Sequence, residues 1–161
     1  MVAPINRISI VLGRIAGGVT TAVFQGIIIL AISYFIGFRI ASVLGFIIAL
    51  VFMLLIGITY IGLGLVFASK MTDMQGFSLI MNFITFPTFV FSGAIFPLSN
   101  LPSWLNNIAY INPLRYGVDG LRGGLINASQ FSVAFNLLMM LAFAAVMVII
   151  GAISFDRSDS V

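Results

Sequence analysis

The sequence contains no cysteine, no histidine and no glutamate. Thiol nucleophiles, disulfides and the usual Cys or His metal centres are thereby excluded. The acidic residues are four aspartates, Asp73, Asp119, Asp156 and Asp159. Each lies near the end of an apolar stretch or beyond it, so no buried carboxylate pair for acid–base catalysis is expected. No catalytic residues, metal site or cofactor of the chain's own are expected. Charge of either sign is scarce, at 7% of residues against about 25% in soluble domains. Seven basic residues give a net charge of +3. They are scattered singly (Arg7, Arg14, Arg39, Lys70, Arg115, Arg122, Arg157), with no clustered patch for nucleic acid.

What is abundant is apolar: 61% of the 161 residues are hydrophobic and the mean hydropathy is +1.24. Too little polar surface is left to coat a soluble domain. Four long uncharged runs cover residues 15–38, 40–69, 77–96 and 131–155. Each is long enough to cross a hydrocarbon core of about 30 Å as a helix. The pattern predicts an all-α integral membrane protein of four transmembrane helices, forming one transmembrane domain over residues 1–161. The first run is too long for a signal-peptide core and reads as retained. Lys70 to Asp73 is a polar break, and Asp156 to Asp159 a short polar tail. Pro87, in the middle of the third run, predicts a kink, for packing or for a path.

Residues 97–130 are neither apolar enough to span nor polar enough to be a free linker. They read as a hairpin of two short amphipathic helices lying on the membrane. Trp104, Leu105, Ile108 and Ile111 form the apolar face of the first, with Asn106 and Asn107 away from it, and Pro102 suits its opening turn. Asn112-Pro113 breaks the chain before the second. In the second, Leu114, Val118, Leu121 and Leu125 recur at helical spacing. Arg115, Asp119 and Arg122 fall at i, i+4 and i+7 on another face, a spacing that permits an Arg–Asp–Arg ladder. Two readings stay open: a solvated face that stabilises little, or a charged rim over a path. Trp104, Tyr110 and Tyr116 suit an interfacial aromatic belt. Alternating placement sets Arg7, Arg14, Lys70 and Arg157 against Arg39, Arg115 and Arg122, which favours cytoplasmic N- and C-termini.

Gly13, Gly17, Ala22 and Gly26, with Gly57, Gly62 and Gly64, supply small-residue spacings for helix packing within the chain or for a dimer interface. The polar residues in or near the spans are neutral: Gln25, Ser33, Thr59, Asn82, Thr85, Ser92 and Asn136. A proton relay needs ionisable groups at depth, and none is there. Nor is there a G-x-x-x-x-G-K-[ST] loop for ATP. Uphill transport then draws its energy from a partner, or from sodium coupling through unwound backbone. A non-transporting scaffold and a passive channel are the alternatives.

One ordered string resembles a known family. It runs from Phe86-Pro87 through Ser92-Gly93-Ala94-Ile95-Phe96-Pro97-Leu98, Leu101-Pro102-Ser103-Trp104-Leu105 and Asn112-Pro113-Leu114-Arg115-Tyr116 to Val118-Asp119-Gly120-Leu121-Arg122. It is similar to the signature of the membrane subunit of type-2 ATP-binding-cassette exporters, permeases for drugs, lipids and polysaccharides. Val2-Ala3-Pro4-Ile5-Asn6-Arg7 with Gly13-Arg14 resembles that family's entry into its third span. The resemblance implies the last four of six spans, with two N-terminal spans missing, in the cell membrane. It implies a separate ATP-binding subunit, and two permeases pairing as a homodimer or heterodimer. It makes residues 97–130 an extracellular cap and sets Pro4, Ile5, Asn6 and Arg7 nearest the ATPase. The third span, through Asn82, Thr85, Phe86, Pro87 and Ser92, would line the path.

Overall fold

The structure is a computed structural model that describes residues 7–96, 98 and 102–158, and every regular element among them is helical. The order is α1 (Arg7–Phe35), α2 (Val43–Ala68), α3 (Met74–Val90), α4 (Ser103–Ile111), α5 (Pro113–Ile126) and α6 (Val133–Ser158). Three stretches are long and apolar enough to cross a membrane: Val11–Phe35, Val43–Ala68 and Val133–Ser154. The shorter apolar helix is Met74–Val90.

The ends of these helices have local causes. Gly37, at φ 107°, closes α1 in a Schellman turn: its N–H donates to the Tyr34 carbonyl (3.1 Å), and that of Phe38 to the Ser33 carbonyl (3.0 Å). Ser42 caps α2 by accepting from the Gly45 N–H at 3.0 Å. Both oxygens of Asp73 cap α3, accepting from the Gln75 and Gly76 N–H groups. Pro87 is not mid-span but in the last turn of α3, and the helix stops at Val90 instead of running on to Phe96. Gly93, at φ 82°, turns the chain there. At 17 residues α3 is about 26 Å long, a few ångströms short of a typical hydrocarbon core.

α2 is the hub, with α1, α5 and α6 all packed on it. Phe52 and Leu55 of α2 meet Tyr116 of α5 and Met140 and Ala144 of α6 in one buried cluster. Val11, Ile15 and Val19 of α1 meet Leu65 of α2 in another. α3 stands apart, with no buried residue.

α5 runs antiparallel alongside α2, with Gly124 beside Gly45, Gly120 under Phe52 and Gly117 against Ile56. Gly117, in the second turn of α5, therefore lies about 20 Å along α2 from its first residue. Its buried face is Arg115, Tyr116, Gly117, Asp119, Gly120, Gly123 and Gly124, while Leu114, Val118, Leu121 and Leu125 are only part-buried. Glycines mark the packed face, because only they let two helix backbones touch. In α4, likewise, Trp104, Ile108 and Ile111 are exposed and Ala109 is buried. Tyr116, buried at 3% exposure, belongs to the core and not to an aromatic belt.

The small residues divide in the same way. Gly26 faces Met53, Gly57 faces Val19 and Gly62 faces Met147, whereas a Cβ at Gly13 or Gly17 would meet nothing within 4 Å. In Gly124→Ala the new Cβ would sit 2.7 Å from the Gly45 carbonyl oxygen, which is backbone and cannot swing away. That substitution is expected to cost about 1–3 kcal/mol. Gly17→Ala is expected to be neutral or to gain up to about 1 kcal/mol from helix propensity. Thermal unfolding of the two variants in one detergent compares them, and equal melting points would refute the close α2–α5 approach.

Candidate functional site

The polar residues converge where α5 meets the start of α6. Asp119 is 7% exposed, and its carboxylate accepts three hydrogen bonds. They come from the Gln130 N–H (2.7 Å), the Phe131 N–H (2.9 Å) and the Asn136 side-chain amide (2.8 Å). The two backbone groups lie just before α6 and have no helical acceptor of their own. Asn136 is itself fully buried, so the Asp119–Asn136 bond joins two polar groups inside the protein.

Arg115, 4% exposed, is also buried. Its Nη1 donates to Asn106 Oδ1 at 2.9 Å, which ties α5 back to α4. The guanidinium carbon lies 4.0 Å from the centre of the Tyr110 ring and 5.4 Å from that of Phe131, both cation–π distances. Tyr116 packs its ring among Phe131, Phe135 and Phe143 and donates its hydroxyl to the Tyr110 carbonyl at 2.8 Å. Burial pushes the Tyr116 phenol above its ordinary value and the Arg115 charge opposes this, so the hydroxyl remains a donor through the physiological range. Arg122 reaches the Ala94 carbonyl at 3.5 Å, the outer limit of a hydrogen bond.

Arg115, Asp119 and Arg122 are thus close in space, but their hydrogen bonds run elsewhere and form no Arg–Asp–Arg ladder. The solvated-face reading also falls, since two of the three are buried. Both outcomes have one cause: the carboxylate is taken up by N–H groups from the α5–α6 connection and the start of α6, and Arg115 by an aromatic bed. With Ser92 and Gln130 the three border a cavity of about 10 Å³, room for one water molecule. The cluster is a lock and not a substrate pocket.

Asn112 does two jobs. Its Oδ1 accepts from the Leu114 N–H at 3.0 Å and caps α5, and its Nδ2 donates to the Thr88 carbonyl of α3 at 2.6 Å. The sequence marks Asn112-Pro113 as a helix start, but nothing in it signals the reach to Thr88, 24 residues away. Nor does the sequence assign partners to Asn106 and Asn136, because neutral amides have no distinctive spacing.

Of the path residues, Asn82, Thr85 and Phe86 are exposed and share a face of α3 at i, i+3 and i+4. Pro87 is half-buried. Ser92 lies beyond the helix and is buried, its hydroxyl donating to the Phe89 carbonyl (2.6 Å) and accepting from the Ala94 N–H (3.2 Å). Pro4, Ile5 and Asn6 lie outside the described residues, and Arg7 opens α1. No group of three or more His, Cys, Asp or Glu side chains that could hold a metal occurs among the described residues.

The family model for ABC-2 type transporters matches residues 1–126. The chain is 28% identical over 137 residues to "Probable multidrug ABC transporter permease YbhR" of Escherichia coli (strain K12), covering 84% of this chain and 37% of that protein. It is 28% identical over 134 residues to "Inner membrane transport permease YadH" of the same strain, covering 81% and 50%. To "Nodulation protein J" of Sinorhizobium fredii (strain NBRC 101917 / NGR234) it is 24% identical over 135 residues, covering 84% and 51%. The chain therefore spans about half the length, or less, of the curated relatives it matches.

Asp119→Ala leaves the buried Asn136 amide and the less buried Gln130 and Phe131 N–H groups without their acceptor, and is expected to lower stability by about 1–3 kcal/mol. Asp119→Asn keeps one acceptor oxygen and is expected to lose less. Melting curves rank the variants, and hydrogen exchange at the Gln130 and Phe131 amides locates the damage. Wild-type melting of Asp119→Ala would exclude the lock.

Proposed function

The chain belongs to the ABC-2 type transporter family, and from that premise we propose that it is the transmembrane permease portion of an ATP-driven exporter in the cytoplasmic membrane. The observation that carries this reading is the family match over residues 1–126. The relatives' printed names, multidrug ABC transporter permease and inner membrane transport permease, point the same way. A separate ATP-binding subunit supplies the energy, in keeping with a sequence that has no phosphate-binding loop and no ionisable group deep in its apolar runs. The substrate class is a drug, a lipid or a polysaccharide.

In this reading α1, α2, α3 and α6 cross the bilayer, α3 being the short crossing, and both termini are cytoplasmic. Residues 97–130 are the extracellular cap. The run of α5 beside α2, about 20 Å long, supports a hairpin that dips toward the membrane interior, with its glycine and polar face turned to protein and its leucines outward. The exposed face of α3 supports a pairing of two permeases there, identical or different, with Asn82, Thr85 and Phe86 along the path and Pro87 and Ser92 at its outer end. Residues 4–7 approach the ATPase, and the chain corresponds to the last four of six spans.

Reconstitution of the full-length permease with its ATPase in liposomes tests this, with ethidium and a fluorescent phosphatidylethanolamine as probes. Flux of either probe that requires ATP and both subunits is expected. Flux without ATP would make the protein a passive channel. Failure of every candidate ATPase to co-purify, with no flux, would leave a membrane scaffold.

A further inference from the structure

α3 is the least anchored helix of the fold, with none of its residues buried. Its last turn is also irregular. The Thr88 carbonyl would normally receive the N–H of Ser92, four residues on, but that N–H bonds Phe89 instead, at 3.2 Å. The orphaned acceptor is filled from another helix, by Asn112 Nδ2 at 2.6 Å. The same side chain caps α5 through its other end. One amide thus closes the C-terminal end of α3 and the N-terminal end of α5. Asn112 is 7% exposed, so water does not compete freely for either bond. A second hydrogen bond nearby, from Arg122 of α5 to Ala94 in the segment after α3, is long at 3.5 Å.

We infer that Asn112 is the positioning residue that makes α3 and the α4–α5 hairpin move as one unit, so that a displacement of α3 is delivered to the cap. The inference rests on the transport reading for its purpose, but the mechanical link stands on the two bonds alone. Pro113 reinforces it: with φ fixed and no N–H, the first residue of α5 cannot swivel or offer Asn112 Oδ1 a competing donor.

The two functions of Asn112 can be separated by substitution. Asn112→Asp keeps a good helix cap but sets an oxygen against the Thr88 carbonyl, so it cuts the link and spares the cap. Asn112→Ala removes both. With the full-length permease in lipid nanodiscs, spin labels at Phe83→Cys on α3 and Ile126→Cys at the end of α5 read the distance between the elements; both parent side chains are exposed. A single narrow distance distribution is expected with Asn112 and a broad one in both variants. Hydrogen exchange at the Leu114 amide should stay slow in Asn112→Asp and accelerate in Asn112→Ala. In ATP-driven export assays Asn112→Asp is expected to lose about five-fold or more, the scale of a typical coupling between sites. An unchanged distance distribution in Asn112→Asp would overturn the inference. A broadened distribution with undiminished export would overturn the role in transport and leave the mechanical link. Absence of ATP-dependent export in the parent itself would count against the transport reading, while the distance measurement still decides the link.

Discussion

Three N–H groups from one short stretch of chain close on the Asp119 carboxylate, and the arrangement of α2, α5 and α6 depends on that closure. A buried carboxylate is tolerable only where its charge is met by donors at hydrogen-bond distance, and here the donors are two backbone amides and Asn136. The bond set fixes the 127–132 connection and therefore the angle at which α6 leaves α5. With α6 placed, Met140 and Ala144 meet Phe52 and Leu55 of α2, and the central cluster is complete.

The same helix illustrates how a membrane protein inverts the packing logic of soluble helices. If α5 dips into the bilayer as proposed, the surrounding medium and the protein interior are both apolar there, so leucine gains nothing by turning inward. Glycine gains contact by admitting a neighbouring backbone, and a charged residue gains by finding the donors, acceptors and aromatic faces that only protein supplies. Arg115 over Tyr110, Asp119 among amides, and Gly117, Gly120 and Gly124 along α2 are one solution to one problem.

The helices are legible in sequence because uncharged runs of such length leave no alternative. Their caps are partly legible: Asn112-Pro113 stands at a visible boundary, whereas Gly37 lies inside an unbroken apolar run. The orientation of α5 is not, because helical periodicity distinguishes two faces without saying which one meets protein. The place of Pro87 is obscured for a similar reason. Hydropathy continues through Phe91, Ile95 and Phe96, whereas the helix obeys Gly93 and stops. The partners of Arg115, Asp119 and Arg122 are the least accessible. The i, i+4, i+7 spacing describes a helix in isolation, and the hydrogen-bond partners of Arg115 and Asp119 come from α4, the α5–α6 connection and α6, at separations of 9 to 17 residues. The double role of Asn112 is hidden for the same reason.

The lock also has a direction in time. Among the described residues every donor to Asp119 lies after it in the chain, the last of them 17 residues later at Asn136. A ribosome adding about 5–20 residues per second needs roughly one to three seconds to cover that interval. Throughout it, the Asp119 carboxylate lacks the donors that make its burial beside α2 tolerable. Docking of α5 therefore waits on the start of α6, and the two helices settle together.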